Sequence, residues 1–258
     1  MERVAKLMAA RGLCSRREAE RLIDAGCVLV DGVVVPAQGA KAPPEADIRI
    51  SEGGGALLGG RATVLLHKPI GIVSTQPEPG QTPAWTLLRA ETRRGPIDAA
   101  AERALLAAPW ELSVAGRLDR ASRGLLVLTQ DGTVARRIIG GNGVEKEYRV
   151  ATNAPASDGQ LRKLNGPLQL DGTALRPMRV GRVDERTLRF VLVEGKKHQI
   201  RRCCRMVGLQ VTDLLRVAVG PLALADLPPG GWRLASADEL ARLHADGAVA
   251  GARRSRPR

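Results

Sequence analysis

The sequence predicts an α+β protein in two parts: a small helix-helix-hairpin domain, then a larger domain built on a mixed, largely antiparallel sheet. Two observations carry this. The first fifty residues hold two short helical patterns followed by a hairpin signal. From Val64 onward, short β-rich runs alternate with turn signals and only a few helical stretches. With 258 residues, 44% of them hydrophobic, the chain can fill a small core and a medium one.

In the front part, Val4, Leu7 and Met8 fall at helical spacing, and Gly12 ends that helix. Ser15 and Glu18 form a Ser-x-x-Glu capping box for a second helix, whose Ala19, Leu22 and Ile23 make one apolar face. Gly26, just past Ala25, is placed to close it. Cys27–Val30 and Val33–Val35 flank Asp31-Gly32, a two-residue hairpin signal. The module is therefore expected at 1–50. Residues 51–61, with Gly53-Gly54-Gly55 and Gly59-Gly60, have the composition of a flexible linker. Beyond it, at 62–240, strands are expected at Val64–Leu66, Ile72–Ser74, Leu125–Thr129, Tyr148–Ala151 and Leu188–Val193. Helices are expected at Gly132–Ile139 and Gln199–Val207, and Thr86–Leu112 is an Ala- and Arg-rich insert. Residues 241–258, ending in Arg253–Arg258, are expected to be a basic tail.

Lys and Arg total 40 against 27 Asp and Glu, a formal charge of +13. Such an excess favours a polyanionic partner, because each phosphate neutralised releases counterions. No apolar run reaches the roughly 18–20 residues of a membrane span, and the first residues lack a signal-peptide core. Cys14, Cys27, Cys203 and Cys204 make no Cys-x-x-Cys pair, and His67, His198 and His244 are scattered. Reduced cysteines, a cytoplasmic location, a monomer and no metal are the corresponding expectations.

The front-module charge is concentrated. Arg11, Arg16, Arg17 and Arg21 cluster around the start of the second helix. Cations there oppose the helix dipole, so phosphate binding supplies a physical motive that a merely solvated face lacks. The run Cys14-Ser15-Arg16-Arg17-Glu18-Ala19, with Ile23, Gly26, Val28, Val30, Asp31 and Gly32, resembles the S-four-type (alpha-L) RNA-binding domain. That resemblance implies RNA binding without specifying a reaction.

Gly116-Arg117-Leu118-Asp119, followed by Ser122, Gly124, Leu125 and Leu126, is an aspartate between a turn and a strand. Alone it reads as a turn-former. In company it resembles the catalytic motif of the pseudouridine synthases of the RsuA/RluF-like family. The companions are Lys68-Pro69-Ile70-Gly71-Ile72-Val73-Ser74-Thr75, Glu145-Lys146-Glu147-Tyr148-Arg149-Val150, and Glu194-Gly195-Lys196-Lys197-His198-Gln199-Ile200-Arg201-Arg202. Leu214-Leu215-Arg216 with Gly220, and Gly231-Trp232-Arg233, complete the series in the family's order.

The resemblance implies a cofactor-free isomerase. The C1′–N1 bond breaks, the uracil turns, and it rejoins through C5. One carboxylate is needed, as nucleophile at C1′ or base at C2′, and Asp119 matches it. A carboxylate in a pocket stays ionised more readily beside a cation, and Arg201 matches the family's partner. Tyr148, the one tyrosine in a chain with just one Phe and three Trp, matches the tyrosine expected to stack on the displaced base. Such stacking is worth roughly 1–3 kcal/mol. Without the motif it reads as a core residue. Arg117, Lys196, Lys197 and Arg202 are expected along the RNA path, and His198 is expected to be structural.

The implied partner is ribosomal RNA, as a stem-loop or an assembly intermediate. Gly140-Gly141-Asn142-Gly143-Val144 and Ile72-Val73-Ser74-Thr75 look most like the enzymes of large-subunit (23S) RNA. The small-subunit enzymes share the architecture and stay open as an alternative. A noncatalytic ribosome-assembly factor fits the charge and front module equally, but not the intact set Asp119, Tyr148 and Arg201.

Overall fold

A computed structural model describes residues 1–59, 61–75, 77–140 and 143–252. Gly60, the Gly141-Asn142 part of the glycine run and the Arg253–Arg258 tail lie outside the described residues.

In the front module, β1 (Glu2–Arg3) leads into α1 (Val4–Ala10), and α2 (Arg16–Asp24) packs on α1. The capping box is present. Glu18 N–H donates to Ser15 Oγ (3.3 Å), and Ser15 N–H donates to a Glu18 carboxylate oxygen (2.6 Å). Then come β2 (Val28–Val30), β3 (Val33–Val34), β4 (Lys41–Ala42) and β5 (Ile48–Ile50). Strand β2 lies between β3 and β5, and β1 pairs with β4. Asp31 (φ 50°) and Gly32 (φ 84°) both have positive φ, the conformation a tight two-residue hairpin requires. Val4, Leu7, Met8, Ala19, Leu22, Ile23, Val28 and Ile48 form the core, the larger of them contributing about 2 kcal/mol each by burial.

The expected flexible linker is instead helical, as α3 (Glu52–Gly59). Ser51 explains the start: its Oγ accepts from Gly54 N–H (3.3 Å) and its carbonyl from Gly55 N–H (2.9 Å). Nor does the front module swing free. Glu18, 4% exposed, accepts from Arg61 Nη1 (2.7 Å) and from the backbone N–H of Gly132 (3.3 Å) across the junction. Arg61 also reaches Asp131 (3.1 Å), and Arg136 donates to the carbonyls of Ala9 and Cys14. A Cβ on Gly132 would sit 2.1 Å from Ser15 Cβ, so only glycine permits this approach.

The second part contains β6 (Thr63–Lys68), α4 (Ala99–Ala107), β7 (Ser113–Val114), β8 (Arg123–Thr129), α5 (Gly132–Ile139), β9 (Lys146–Thr152) and α6 (Asp158–Asn165). There follow β10 (Gln169–Leu170), β11 (Thr173–Ala174), β12 (Arg179–Arg182), β13 (Thr187–Leu192), α7 (Gln199–Met206), β14 (Val211–Val219), β15 (Leu222–Ala223), β16 (Trp232–Leu234) and α8 (Ala237–Ala252). The main sheet runs β12-β13-β9-β14-β8-β6-β16, with β15 beside β14 and β7 beside β8. Among the strand pairs of the described residues, β14–β8 alone is parallel. Strand alternation gives β6 and β8 two buried faces. Leu65, Leu125 and Val127 pack with α5 and with Leu243 of α8, while Val64, Leu66, Leu126 and Leu128 pack under the 86–112 insert.

Two expectations change here. Ile72–Ser74 is loop, with Val73 making one isolated bridge to Pro83. Residues 241–252 continue α8 rather than forming a tail, and Leu243 is fully buried. The insert is ordered structure: Trp85 and Trp110 meet edge-to-face with centroids 6.0 Å apart, and Trp232 Nε1 donates to Arg89 O (2.8 Å). All four cysteines are free thiols.

Candidate active site

The Gly116–Asp119 segment connects β7 to β8, where the chain must turn before entering the sheet; Gly116 has φ 88°. A neighbouring loop holds it from two sides. Ser74 Oγ donates to Leu118 O (2.6 Å) and is also the acceptor for Leu118 N–H (2.9 Å). On the other side of Asp119, Gly71 N–H donates to Arg120 O (2.9 Å) and Arg120 Nε donates to Gly71 O (3.1 Å). Ser122 N–H closes a turn onto Asp119 O (3.0 Å). The main chain on either side of the aspartate is thus fixed before any substrate arrives.

Two buried cations support these loops. Lys68, with no exposed surface, donates to Pro69 O (2.9 Å) and Ile72 O (2.8 Å). Burial pushes its ammonium down to about 8, and the charge of Asp119 opposes that shift. Arg216, 2% exposed, donates to Leu125 O (2.7 Å), Gly116 O (2.8 Å) and Arg117 O (3.5 Å). It faces Gly124 across the parallel pair, where φ is 110° and a Cβ would come within 2.3 Å of Arg216 O. Glycine is required there. Sequence reasoning quoted Lys68, Ser74 and Arg216 inside motif blocks but gave them no role; a charge inside a buried β-rich run was the available signal.

Asp119 opens into a cleft of about 1040 Å³. Arg117, Arg120, Lys146, Arg176, Lys196, Lys197, Arg201 and Arg216 line it, against the carboxylates of Asp119 and Glu194. Tyr148 also lines it, although only 9% exposed. Its ring backs onto the core opposite Phe190 of β13, and its hydroxyl makes no hydrogen bond to another described residue. The ring is a core residue on one side and cleft wall on the other.

Arg201 lines the same cleft as Asp119, but its guanidinium is turned to main-chain carbonyls. It donates to Ala121 O (2.8 Å) and Val211 O (3.2 Å), its Nε is buried without a partner, and it makes no ion pair with Asp119. The imidazole nearest the carboxylate is that of His198, with Nε2 3.6 Å from Asp119 Oδ1. That distance is too long for a hydrogen bond. His198 heads α7 with a left-handed backbone (φ 53°), which costs a non-glycine residue about 1–3 kcal/mol when strained and is more common at functional sites. His198, expected to be structural, thus lies beside the aspartate, and the ion pair expected of Arg201 is not formed.

The other basic candidates divide. Arg117, Lys196 and Lys197 line the cleft. Arg202 pairs bidentately with Asp171 (2.6 and 2.9 Å), and Arg11 is spent on Ala46 O (2.7 Å) and Pro44 O (2.6 Å). Both have structural partners. Arg16 and Arg17 line a second cleft, of about 520 Å³, between the front module and α5, together with Lys6 and Arg136. Arg21 is exposed in the last turn of α2. Among the described residues, no group of three or more His, Cys, Asp and Glu side chains comes together as a metal site would need.

A small helix-helix-hairpin module docked on a mixed-sheet domain, with a clamped aspartate in a basic cleft, is the arrangement that the resemblance implies for an RNA-modifying class of protein. Residues 62–206 match the family described as RNA pseudouridylate synthase, and residues 2–45 match the S4 domain. The chain therefore belongs to the RNA pseudouridylate synthase family and carries an S4 domain at its front. It is 31% identical over 255 residues to the dual-specificity RNA pseudouridine synthase RluF of Salmonella typhi, covering 93% of this chain and 78% of that protein. An uncharacterized RNA pseudouridine synthase of Aquifex aeolicus (strain VF5) is 31% identical over 246 residues, covering 93% of each. A crystal structure of a pseudouridylate synthase superposes with a TM-score of 0.62 at 22% identity, over 94% of this chain and all of that one, a likeness of fold.

Proposed function

We propose that this protein isomerises a uridine of bacterial ribosomal RNA to pseudouridine, in large-subunit RNA, with Asp119 as the carboxylate that acts on the target nucleotide. The observation that carries this reading is the two-sided clamp on the main chain around Asp119, whose carboxylate lines a cleft rich in cations. In the reaction the glycosidic C1′–N1 bond breaks and a C1′–C5 bond forms. The C5 proton is lost to solvent while N1 gains one, so composition is unchanged and no co-reactant enters. Asp119 acts either by bonding to C1′ or by removing the C2′ proton. Tyr148 offers the displaced uracil a flat face from the sheet side, and the surrounding cations offset phosphate charge as the strand enters.

The large-subunit target rests on the sequence runs Gly140-Gly141-Asn142-Gly143-Val144 and Ile72-Val73-Ser74-Thr75, which resemble those of the large-subunit enzymes. A cytoplasmic monomer acting on a stem-loop or an assembly intermediate is the corresponding setting. The test is nucleoside analysis of unmodified large- and small-subunit ribosomal RNA after incubation with the protein. New pseudouridine in the large-subunit RNA alone is expected. Its appearance only in small-subunit RNA would overturn the target, and binding without product in either would favour an assembly factor.

A further inference from the structure

The cleft has more positive charge than the carboxylates of Asp119 and Glu194 balance, and the least exposed part of the surplus is localised. Lys146 and Tyr148 lie two residues apart on β9, so both side chains face one side of the sheet, and both line the cleft. Arg216 of β14 stands opposite Tyr148 in the register. Lys146 Nζ spends one donor on Ile138 O near the end of α5 (2.9 Å) and makes no ion pair among the described residues. An ammonium has three donors, so two remain for a ligand.

The charged groups acting on Lys146 are Arg216 from β14, Arg137 from α5 and Arg176 from the loop before β12. The glutamates on its own strand are engaged elsewhere, Glu145 with Arg179 and Glu147 with Arg189. Burial first, and then these arginines, push the ammonium down to about 8. The resting protein thus holds this lysine at a cost that an arriving anion would relieve. Arg216 has its donors on carbonyls, so it contributes field rather than hydrogen bonds.

We propose that Lys146, with Arg216 behind it and Arg176 exposed at the side, is a subsite for one phosphodiester of the RNA strand. It would hold the backbone of the nucleotide that enters between Asp119 and Tyr148. This rests on the RNA-modifying reading above, but its test is a binding measurement that does not need turnover.

The experiment follows the Lys146 side-chain NMR signal, assigned by its loss in Lys146→Gln, through a pH titration of the full-length protein. It is run alone, with a short oligouridylate, and with the uncharged methylphosphonate version of that oligonucleotide. The charged oligonucleotide should move the midpoint up by about one pH unit, as an opposite charge at contact distance does. The neutral one should leave it in place. Equal effects of the two, or none from either, would overturn the subsite. In turnover, Lys146→Gln should raise KM about tenfold with kcat nearly kept, and Lys146→Arg should restore most of it. A lysine serving only to cap α5 would lower the unfolding midpoint and leave KM alone. A protein that shifts the lysine signal as expected yet forms no pseudouridine would refute the activity and not the subsite; full turnover with an unmoved signal would do the reverse.

Discussion

Ser74→Ala removes a single oxygen that holds both main-chain polar groups of Leu118, the residue before Asp119, the proposed reacting carboxylate. The hydroxyl donates over 2.6 Å to the Leu118 carbonyl and accepts over 2.9 Å from its N–H. Ser74 is 4% exposed and Leu118 6%, so water cannot readily replace the lost partner. Each buried group left unsatisfied costs about 1–3 kcal/mol, so the pair is worth about 2–4 kcal/mol once the carbonyl's partial compensation is allowed for. A domain usually has about 5–15 kcal/mol of stability, so the variant should fold. The loop can recover its hydrogen bonds only by shifting, which moves Asp119. With about 1.4–2.8 kcal/mol of this loss falling on the transition state, at about 1.4 kcal/mol per factor of ten, kcat should fall by about 10- to 100-fold. The assay is initial-rate kinetics on ribosomal RNA at saturation, with urea unfolding in parallel. KM should stay within about twofold, since Leu118 is not itself a phosphate contact. A kcat unchanged within that margin, alongside a clear stability loss, would show that Ser74 supports the fold and not the position of Asp119.

Other outcomes follow from the same geometry. Glu18→Ala strips an acceptor from Arg61, Gly132 and Ser15 at once, and should destabilise the docked front module by about 3 kcal/mol, since Arg61 keeps Asp131; faster hydrogen exchange in α1 and α2 with unchanged exchange in β8 is the expected signature, and unchanged α1 and α2 would mean the junction carries no coupling. Tyr148→Phe should keep most activity while Tyr148→Ala loses it, measured as kcat on the same RNA; equal losses would show that the hydroxyl, not the ring face, is what the reaction needs. Stability should rise between pH 7 and 9. Lys68 titrates near 8 when folded against 10.5 as its ordinary value, so over this range the unfolded chain binds more protons and each pH unit above 8 adds about 1 kcal/mol from this one lysine. Lys146, near 8 as well, adds a similar slope; above about pH 10 the trend should reverse, because burial raises the thiols of Cys14 to about 11 and Cys204 to about 12, and the unfolded state, whose lysines then also lose their protons, holds fewer protons than the folded one. Urea midpoints that fall steadily from pH 7 would contradict the buried, charged lysine.

The front module was legible because its signals are local. A capping box, a two-residue turn and a helical apolar stripe each need only a few adjacent residues, and all three are present. The linker was misread for the same reason. Gly53-Gly54-Gly55 looks flexible in isolation, and what makes it a helix is Ser51 at its start and the packing of buried Gly54 against the front module. Strand β14 was missed because its apolar residues are interrupted by Asp213 and Arg216. The first pairs with Arg123, and the second is buried against main-chain carbonyls, so neither marks a loop. At the site, the motif order located Asp119 and the strand carrying Tyr148. It could not show that Arg201 turns to the Ala121 carbonyl while His198, three residues earlier, comes beside the aspartate. That depends on the left-handed backbone of His198, which no spacing rule reveals.

Asp119 as the reacting carboxylate is tested most directly by tritium release from ribosomal RNA labelled at uridine C5, comparing the wild-type protein with Asp119→Asn. The substitution keeps size and polarity, and the clamp on the adjacent main chain through Ser74 and Gly71 should survive it. Release by the wild type and none by the variant, with RNA binding equal in both, is the predicted result. Equal release from the two proteins would remove Asp119 from the chemistry, whatever the rest of the cleft does.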